Sequence, residues 1–468
     1  MNTRLVACAV LSMCGGASAF AQVVDARLIV KVGDVTPAGP IVALNDPYTN
    51  GSGQPGFVYN LTGSVRGIWI GTGSTFDTSA LPAVTGAEST MGISDGGNWI
   101  YSPSISGADS VYTNFGPLLV AGQAAPGFPA QFCSFASRPR MVRNGTAAWV
   151  GGVANTAGGA TVTRVFYINR DPSDPANTAR TLAGGDTVQG VTIAAAGIGF
   201  GYDISDDGSK FINQVTFTGP TATDAGVIVN GTTIAMREGS PSTAPGENWQ
   251  NFAHFSINNA GDYLVIGDTD GPTATDGFIS LNGVMIAREG QLVGGLAMGG
   301  TFGAATLLPN GTVIAIGTVG GVESLLSISP FGGTIQVVAK VGDSLDFNID
   351  GVADATLNDF NASATVGPGL DGTLASGPYV NVDITPISTG VQVEAIIGLG
   401  QRSCDTIDFN NDGVFPDDQD VVDLFAVLSG SVCSACNDID FNNNGVFPED
   451  QDVIDFFVVL AGGACNPG

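Results

Sequence analysis

Residues 25 to about 400 consist of short apolar runs, rich in Val, Ile, Phe and Thr, that are separated by Asn-Gly, Asp-Gly and Pro-Gly dipeptides. Hardly any of these runs has helical periodicity. Asn-Gly and Asp-Gly favour the positive-φ turns that match the twist of two paired strands. The pattern therefore predicts a mainly β body built from hairpins.

Two kinds of hairpin alternate along this body. The first has an apolar run, a turn of Asn, Asp and Gly, and a second apolar run; it begins near Ile93, Met141, Ile204, Ile257, Leu307 and Gly369. The second follows several of these, as in GVIVNGTTIAMREG from Gly226, GFISLNGVMIAREG from Gly277 and SLLSISPFGGTIQVVAKVGD from Ser324. The pair recurs about every 50 to 60 residues. Four strands in each unit are typical of a β-propeller.

The two ends of the body indicate how the ring closes. The last unit stops one strand short after VQVEAIIGLG from Val391, whereas ARLIVKVGD from Ala26 matches the final strand VVAKVGD of another unit at Val337. We therefore predict that the N-terminal strand closes the last blade and removes an open sheet edge. A weakly marked unit near Ile41–Tyr59 brings the prediction to about seven blades, with six or eight also open. A pair of β-sandwiches or a β-helix is the rival architecture, because periodicity alone does not show closure. The body resembles the propeller-like repeats of large secreted bacterial proteins of unassigned function.

Composition and charge narrow the class of protein. The chain has 468 residues and a formal net charge of −28, from 43 acidic residues against 15 Lys and Arg. Such a surface argues against nucleic acid as a partner. The opening MNTRLVACAVLSMCGGASAFAQ reads as a secretory signal peptide cut near Ala21. The predicted domains are a signal peptide at 1–21, a propeller-like repeat domain at 22–401 and a small module at 402–468, in a secreted or cell-surface protein without a transmembrane segment.

The body carries few residues that suggest catalysis. His254 is the only histidine, and we expect it to pack on a strand rather than to react. Arg237 and Arg288 occupy equivalent positions, which Lys31 and Lys340 take in two other units. These cations could bind an anionic ligand at one rim, although ion pairs between blades at the strand ends are the commoner outcome. Acid pairs for glycoside hydrolysis cannot be placed from sequence, so we predict no catalytic residues.

The last 65 residues, from Cys404 to Gly468, hold 13 acidic residues and no Lys or Arg. They contain DFNNDGVFPDDQD from Asp408 and DFNNNGVFPEDQD from Asp440, which are 32 residues apart. Each copy follows an EF-hand calcium loop, with oxygen ligands at positions 1, 3 and 5, glycine at 6 and a backbone carbonyl at 7. We infer that each loop is one residue longer than usual, so that its closing acid comes at position 13. The predicted Ca²⁺ ligands are Asp408, Asn410, Asp412 and the Val414 carbonyl, closed by Asp420 or by Asp418, and in the second copy Asp440, Asn442, Asn444 and the Val446 carbonyl, closed by Asp452 or by Asp450.

Apolar residues recur at helical spacing after each loop, at Val421, Leu424 and Phe425 and again at Val453, Phe456 and Phe457. The small α calcium-loop domain is therefore expected to hold two loop–helix repeats. This duplicated arrangement resembles dockerin modules, the calcium-dependent domains that dock onto cohesins. The resemblance implies calcium binding and a cohesin-like or other cell-surface partner. The rival interpretation is an acidic, disordered tail, which would explain neither the paired glycines nor the apolar helix faces.

Four cysteines lie in this module, with Cys404 and Cys433 separated by 29 positions and Cys436 and Cys465 again by 29. In an exported protein we expect two disulfides, one closing each repeat. A zinc site built from the four thiolates is the alternative. Cys133 is then left unpaired and is expected to be buried.

These features favour an exported, non-catalytic binding or scaffold protein. Its acidic C-terminal module would bind calcium and mediate docking or surface attachment, with an extracellular protein or glycan as the unidentified ligand. The alternative is a secreted hydrolase acting on polysaccharide that carries a dockerin-like appendage. A structural component of a surface layer is a third possibility.

Overall fold

The computed structural model describes residues 23–461 with gaps at 52, 64, 72, 78–83, 106–107, 300–301, 331–333, 349–351, 362–369, 374–376, 400–405, 411, 413, 415–416, 432, 434–435, 438, 440 and 442–449. The predicted signal peptide and the boundary between 401 and 402 lie outside the described residues.

Nearly all regular structure of the body is β. The strands, in chain order, are β1 (Val23–Lys31), β2 (Val35–Thr36), β3 (Gly39–Leu44), β4 (Tyr48–Thr49), β5 (Pro55–Leu61), β6 (Arg66–Ile70), β7 (Gly73–Asp77), β8 (Val84–Ile93), β9 (Trp99–Ile105), β10 (Ala108–Thr113), β11 (Gly116–Val120), β12 (Phe132–Met141), β13 (Ala147–Ala154), β14 (Thr163–Asn169), β15 (Thr178–Ala183), β16 (Thr187–Val188), β17 (Val191–Ile204), β18 (Phe211–Phe217), β19 (Ala225–Val229), β20 (Thr233–Arg237), β21 (Trp249–Ile257), β22 (Tyr263–Thr269), β23 (Gly277–Leu281), β24 (Val284–Arg288), β25 (Leu292–Val293), β26 (Leu296–Gly299), β27 (Ala305–Leu307), β28 (Val313–Val319), β29 (Val322–Ile328), β30 (Ile335–Lys340), β31 (Ser344–Asp346), β32 (Ala355–Phe360), β33 (Leu370–Thr373), β34 (Gly377–Pro386) and β35 (Val393–Leu399).

Hydrogen bonds group the described strands into seven sheets, which we number along the chain. Sheet 1 holds β2–β7, sheet 2 β8–β11, sheet 3 β12–β15, sheet 4 β16–β20, sheet 5 β21–β24, sheet 6 β25–β30, and sheet 7 β31–β35 together with β1. Sheets 2, 3 and 5 are antiparallel meanders whose strands pair in chain order. The innermost strands are β4, β8, β12, β17, β21, β27 and β33, which approach one another from sheet to sheet. The body is mainly β and has a propeller arrangement.

The apolar side chains lie between the sheets rather than in one central core. Each of seven buried clusters draws its residues from two consecutive sheets. The cluster of Trp149 and Tyr167 joins sheets 2 and 3, for example, and the cluster of Phe57 and Val30 joins sheets 1 and 7. Because both faces of every sheet are covered in this way, a strand that faces two neighbours is apolar along its whole length, as in β13, where all eight residues are buried.

The N-terminal strand closes the ring, as the sequence predicted. β1 pairs antiparallel with β35, in the register Ala26↔Leu399 to Lys31↔Ala395. Its first residues also pair in parallel with β31. Sheet 7 therefore combines strands from both ends of the body, and its outermost strand is held in place by main-chain hydrogen bonds.

The predicted hairpins form at most of the expected turns. Asn230 and Asn282 have φ values of 53° and 53°, and the glycines after them 68° and 75°, so both Asn-Gly pairs make turns with two positive-φ residues. The exception is Asp371-Gly372, at which the pattern from Gly369 predicts the turn of a hairpin. Both residues lie inside β33, since that strand pairs with β34 through Thr373.

Two helices follow the body, α1 (Asp418–Leu428) and α2 (Asp450–Leu460). They pack around a small cluster formed by Phe409, Leu424, Phe441 and Phe456, all fully buried. Phe409 and Phe441 occupy the same position in the two repeats, as do Leu424 and Phe456. No helix in the described part of the chain is long and apolar enough to cross a membrane.

Two valines of β1, one buried and one exposed, allow the closure of the ring by this strand to be tested. Val30 is 1% exposed and packs between sheets 7 and 1, whereas Val23 of the same strand is 53% exposed. We expect Val30→Ala to lower the free energy of unfolding by about 2 kcal/mol, because it removes buried methyl groups and leaves a cavity. Val23→Ala should change it by less than about 0.5 kcal/mol. Equal effects in urea denaturation would show that β1 does not close the ring.

Candidate functional site

A cavity of about 520 Å³ opens among the innermost strands, where β4, β8, β12, β17 and β21 approach one another. Three arginines line it, Arg138 and Arg140 from β12 and Arg164 from β14. The described residues of its lining include no Asp or Glu. In a chain with almost three times as many acidic as basic residues, this wall is locally basic.

Two of the arginines share one aromatic ring. The Cζ atoms of Arg138 and Arg164 lie 4.9 and 4.7 Å from the centroid of Phe200, a residue of β17. Cation–π attraction holds each guanidinium against the ring. Arg138 has a φ of 52°, an unusual value for a residue with a side chain and more so for one that precedes proline. The register of β12 with β13 shifts over the same residues, so Arg138 sits on a β-bulge.

The third arginine forms the floor of the cavity. Arg140 makes an ion pair with Asp203 of β17, whose side chain is 2% exposed. The Asp203 carboxylate also accepts the N–H groups of Ile204 at 2.7 Å and of Ile257 at 2.8 Å. Burial raises the pKa of Asp203, and the Arg140 guanidinium and these N–H groups oppose that rise. Burial by itself would lower the pKa of Arg140, but the charges of Asp203 and Asp371 raise it above its usual range.

Beyond this ion pair lies a second cavity, of about 50 Å³. It is lined by the acids Asp203, Asp206 and Asp371 and by the bases Arg140 and Arg143. The acids have structural partners: Asp206 lies 3.2 Å from Arg143, and Asp371 accepts the N–H of Thr49 at 3.1 Å. A space of this size holds one or two water molecules. We interpret this cavity as the polar packing of the inner strands rather than as a place for a substrate.

His254 lies on the innermost strand of sheet 5 and borders the larger cavity. Its side chain is 4% exposed, and its Nε2 lies 2.6 Å from the carbonyl oxygen of Ala305 on β27. The side chain therefore links the inner strands of sheets 5 and 6, which agrees with the packing role that the sequence favoured.

The repeated cations at strand ends lie on the outermost strands, away from the cavity. Lys31 pairs with Asp34 at 2.6 Å and Arg288 with Glu247 at 2.6 Å, so these two cations do form ion pairs. Their partners lie close in the chain or in the same unit, however, and not across two blades as the sequence predicted. Arg237 instead donates from Nε to the carbonyl of Thr223 at 3.0 Å and lies over Phe217. Lys340 ends β30 in the same way that Lys31 ends β1. The hypothesis of a cationic ring around one rim gains no support from these partners.

The pKa of another acidic residue, Asp46, is raised where sheets 7 and 1 meet. Burial, with a smaller effect of the Glu394 charge, raises the pKa of Asp46 to about 7. The Glu394 carboxylate accepts the N–H of Leu44 at 3.0 Å and the side-chain amide of Asn381 at 2.8 Å. These bonds hold Glu394 in place beside Asp46, so the two carboxyl groups cannot readily move apart.

The first acidic loop brings several predicted metal ligands together. Asp408 Oδ1 accepts the N–H of Asp412 at 3.1 Å, and Asp412 Oδ1 accepts the N–H of Val414 at 2.8 Å. Asp420 reaches back from the first turn of α1, so that its Oδ1 lies 3.4 Å from the N–H of Asn410. Its other oxygen accepts the N–H of Asp417, the N-cap of α1.

Burial distinguishes between the two closing acids proposed for each loop. Asp420 is fully buried and faces the loop, whereas Asp418 is exposed. Asp452 of the second repeat is likewise fully buried, and Asp450 is exposed. The acid one place after the usual position 12 is therefore the better candidate in both repeats. The other predicted ligands of the second loop, Asp440, Asn442, Asn444 and Val446, lie outside the described residues.

No group of three or more His, Cys, Asp or Glu side chains suited to hold a metal is found among the residues that the structure describes. The predicted loops rely on asparagine and backbone oxygens as well, and calcium accepts both. The donor set of the first loop consists of oxygen atoms alone, which is the chemistry of a hard cation. Its residues therefore fit calcium by type.

The cysteine pairing differs from the predicted one. Cys433 and Cys436 form a disulfide with each other, with Cα atoms 5.4 Å apart, instead of bonding to Cys404 and Cys465. A separation of three residues brings the two sulfurs together in the segment between the repeats, which the equal spacing of the four cysteines did not indicate. Cys404 and Cys465 lie outside the described residues. Cys133 is buried and free, as expected, and burial raises its pKa to about 12.

The sequence did not single out the arginines of the cavity. The tripeptide Arg138-Pro139-Arg140 places two arginines close together in a very acidic chain, and it was a signal that could have marked β12. No feature of the sequence marked Arg164, because its position beside Phe200 depends on how sheets 3 and 4 pack.

Comparison with known proteins adds a limited amount. No protein-family model and no curated protein matches the chain. Among solved structures, YCF48 from Cyanidioschyzon merolae is 10% identical with a TM-score of 0.34, covering 76% of this chain and 94% of its own. An oligogalacturonate lyase from Vibrio parahaemolyticus is 7% identical with a TM-score of 0.35, over 78% and 86%. A protein of unknown function from Bacteroides caccae is 14% identical with a TM-score of 0.31, over 62% and 93%. Similarities this low carry no argument about the function of this chain. The class that the fold defines is a mainly β propeller, and three arginines line its larger cavity.

The buried ion pair should be essential for stability. We expect Arg140→Met to lower the free energy of unfolding by about 3–5 kcal/mol, because Asp203 then stays buried without its counter-ion. Adding Asp203→Asn should restore part of that loss. As a control, Arg180→Met removes a pair whose side chains are about one-third exposed and should cost no more than about 1 kcal/mol. Chemical denaturation of five proteins, the wild type, the three variants above and Asp203→Asn alone, measures these differences, and additive effects of the two substitutions would contradict the coupling.

The raised pKa of Asp46 predicts how stability depends on pH. The folded state binds the Asp46 proton more tightly than the unfolded state does. The contribution of Asp46 to the free energy of unfolding is therefore complete below about pH 4 and is lost as the pH rises to about 7. The loss is about 4 kcal/mol. Asp46→Asn should remove this part of the pH dependence and stabilise the protein at pH 8. The control Asp109→Asn alters an exposed carboxyl and should leave the melting profile unchanged; a wild-type slope in Asp46→Asn would contradict the assignment.

Proposed function

We propose that the chain is an exported, non-catalytic binding protein of about seven blades whose C-terminal module binds calcium and mediates docking or surface attachment. Seven hydrogen-bonded sheets and seven inter-sheet clusters among the described residues support the blade number. The observation that carries the calcium proposal is the position of Asp420. It is fully buried and bonded to the loop that contains Asp408, Asn410 and Asp412.

Electrostatics supports a cation at this loop. Asp408, Asp412 and Asp420 are brought together in a stretch, Cys404 to Gly468, that has no Lys or Arg to offset their charges. The apolar core of the module is also small, so burial alone stabilises it little. A bound calcium ion would reduce the repulsion among the carboxylates and link the loop to α1. In this proposal Asp408, Asn410, Asp412, the Val414 carbonyl and Asp420 hold the first ion.

An exposed apolar surface supports the docking part of the proposal. Val422 and Phe425 of α1 are 57% and 47% exposed, and Ile454 and Phe457 of α2 are 51% and 39% exposed. The rings of Phe425 and Phe457 lie 6.2 Å apart, so the surface runs across both helices. Apolar patches of this kind are typical of protein interaction sites.

The alternative of a secreted hydrolase would need two carboxyl groups facing a substrate, about 5 to 9.5 Å apart. The larger cavity has no Asp or Glu in its described lining, and the acids of the smaller one are engaged in ion pairs and main-chain hydrogen bonds. These observations favour binding over hydrolysis as the function of the body.

Calcium titration of the full mature chain tests the proposal. After removal of divalent ions, calorimetry should detect about two calcium ions with dissociation constants of about 10⁻⁴ to 10⁻³ M, and magnesium should not compete at equal concentration. Asp420→Asn should weaken the first site at least tenfold, whereas the matched variant Asp418→Asn should bind as the wild type does. The absence of calcium binding, or equal effects of both variants, would refute the calcium proposal.

A further inference from the structure

We propose that the larger cavity of the body binds a sugar through its hydroxyl groups rather than through a charge. This deepens the binding function proposed for the body and rests on it, but it does not depend on the calcium module. A failure of sugar binding would leave the calcium proposal standing, and a failure of calcium binding would leave this one.

The cavity lies where four inner strands depart from regular pairing. The register shifts within β8 between Ala87 and Met91, within β12 between Ser137 and Arg140, within β17 between Ile198 and Tyr202, and within β21 between Phe252 and His254. Residues from inside all four shifts line the cavity, namely Thr90, Arg138, Pro139, Gly199, Phe200, Gly201 and Ala253. Bulges bend a strand and redirect its side chains, and they are frequent next to functional sites. Their coincidence around one space indicates a wall that is shaped for a ligand.

A buried hydroxyl without a partner belongs to this wall. Thr90 is 5% exposed, and its Oγ1 has no hydrogen-bond partner among the residues that the structure describes. Buried polar groups are nearly always paired, because an unpaired one has lost its bonds to water and gained none. Since Thr90 borders the cavity, a ligand hydroxyl placed there can supply the missing bond.

Gln214 of β18 contributes an acceptor to the same cavity. Its Nε2 donates to the carbonyl of Phe252 at 2.8 Å, which fixes the side chain, and within the described part of the chain its Oε1 accepts no hydrogen bond. Glycine at positions 199 and 201 keeps this oxygen accessible, because a Cβ atom there would lie 2.6 and 3.1 Å from it. A carbonyl oxygen can only accept, so the ligand atom that meets Gln214 must be a donor.

The remaining lining indicates the class of ligand. Thr216 is exposed at the edge of the cavity, and its hydroxyl can both donate and accept. Ala196 and Ala253 are small and apolar and leave room for the C–H face of a sugar ring. The absence of Asp and Glu from the described lining argues against a cationic ligand, and an ionised carboxylate has no proton to donate to Gln214. A molecule with several hydroxyl groups satisfies all of these positions, and about 520 Å³ lies within the range of small-molecule sites.

Isothermal titration of the full mature chain in calcium-containing buffer tests the proposal. The ligands are D-glucose, D-galactose and D-mannose, the uronic acid of each, and acetate as a carboxylate without hydroxyl groups. We expect at least one neutral sugar to bind with a dissociation constant below about 1 mM, and its uronic acid to bind within about threefold of the same affinity. Acetate should not bind.

Thr90→Val separates a role in binding from a role in folding. It keeps the shape of the side chain and removes an unpaired buried hydroxyl, so the melting temperature should stay the same or rise, while the sugar should bind at least about fivefold more weakly. The matched control is Thr49→Val, since Thr49 Oγ1 is also buried without a partner among the described residues but is not part of the cavity lining. This variant should bind the sugar as the wild type does.

Gly199→Ala tests the other side of the cavity. Its Cβ would displace Gln214 Oε1, so we expect sugar binding to weaken at least about tenfold. If this variant is unfolded, Thr90→Val decides. The proposal is overturned if none of the three neutral sugars binds, if a uronic acid binds more than about tenfold more tightly than its neutral counterpart, if acetate binds as tightly as the sugar, or if Thr90→Val and the wild type have equal affinity.

Discussion

The inner part of the propeller depends on one buried ion pair. Arg140 on β12 and Asp203 on β17 meet where four sheets converge, with Tyr48 of sheet 1 beside the guanidinium and the Ile257 N–H of sheet 5 on the carboxylate. Two charges removed from water are tolerated only when each has its partner and its remaining hydrogen-bonding capacity is used. The pair therefore fixes how these strands are placed relative to one another, which apolar packing, being non-directional, does not do.

This pair also separates the two cavities of the body. On one side the acids Asp206 and Asp371 are drawn into structural contacts, and on the other Arg138 and Arg164 face the larger space. In a chain with a net charge of −28, the described lining of the larger cavity therefore holds arginines and no acidic residue.

Much of the architecture could be predicted from the sequence. Turns such as Asn230-Gly231 and Asn282-Gly283 have a local cause, because asparagine and glycine tolerate positive φ, and so the hairpins were found at the expected places. The match between the N-terminal strand and the end of β30 likewise predicted that β1 would complete sheet 7. The turn placed at Asp371-Gly372 was wrong, since pairing of β33 with β34 overrode the local preference. The cysteine pairing was wrong as well, because equal spacing does not determine which thiols meet.

The sequence by itself determined the hairpin repeat, the closure by the first strand, and the acidic loop–helix pairs. Each of these features depends on residues that are close together along the chain or on a repeated motif. Only the tertiary structure decided that Asp420 rather than Asp418 turns toward its loop, since the packing of Leu424 against Phe409 sets the rotation of the helix. It also decided that Arg138 and Arg164 share a cavity. They lie on different strands and meet at Phe200 of a third, and contacts between distant segments arise only when the sheets pack around a common axis.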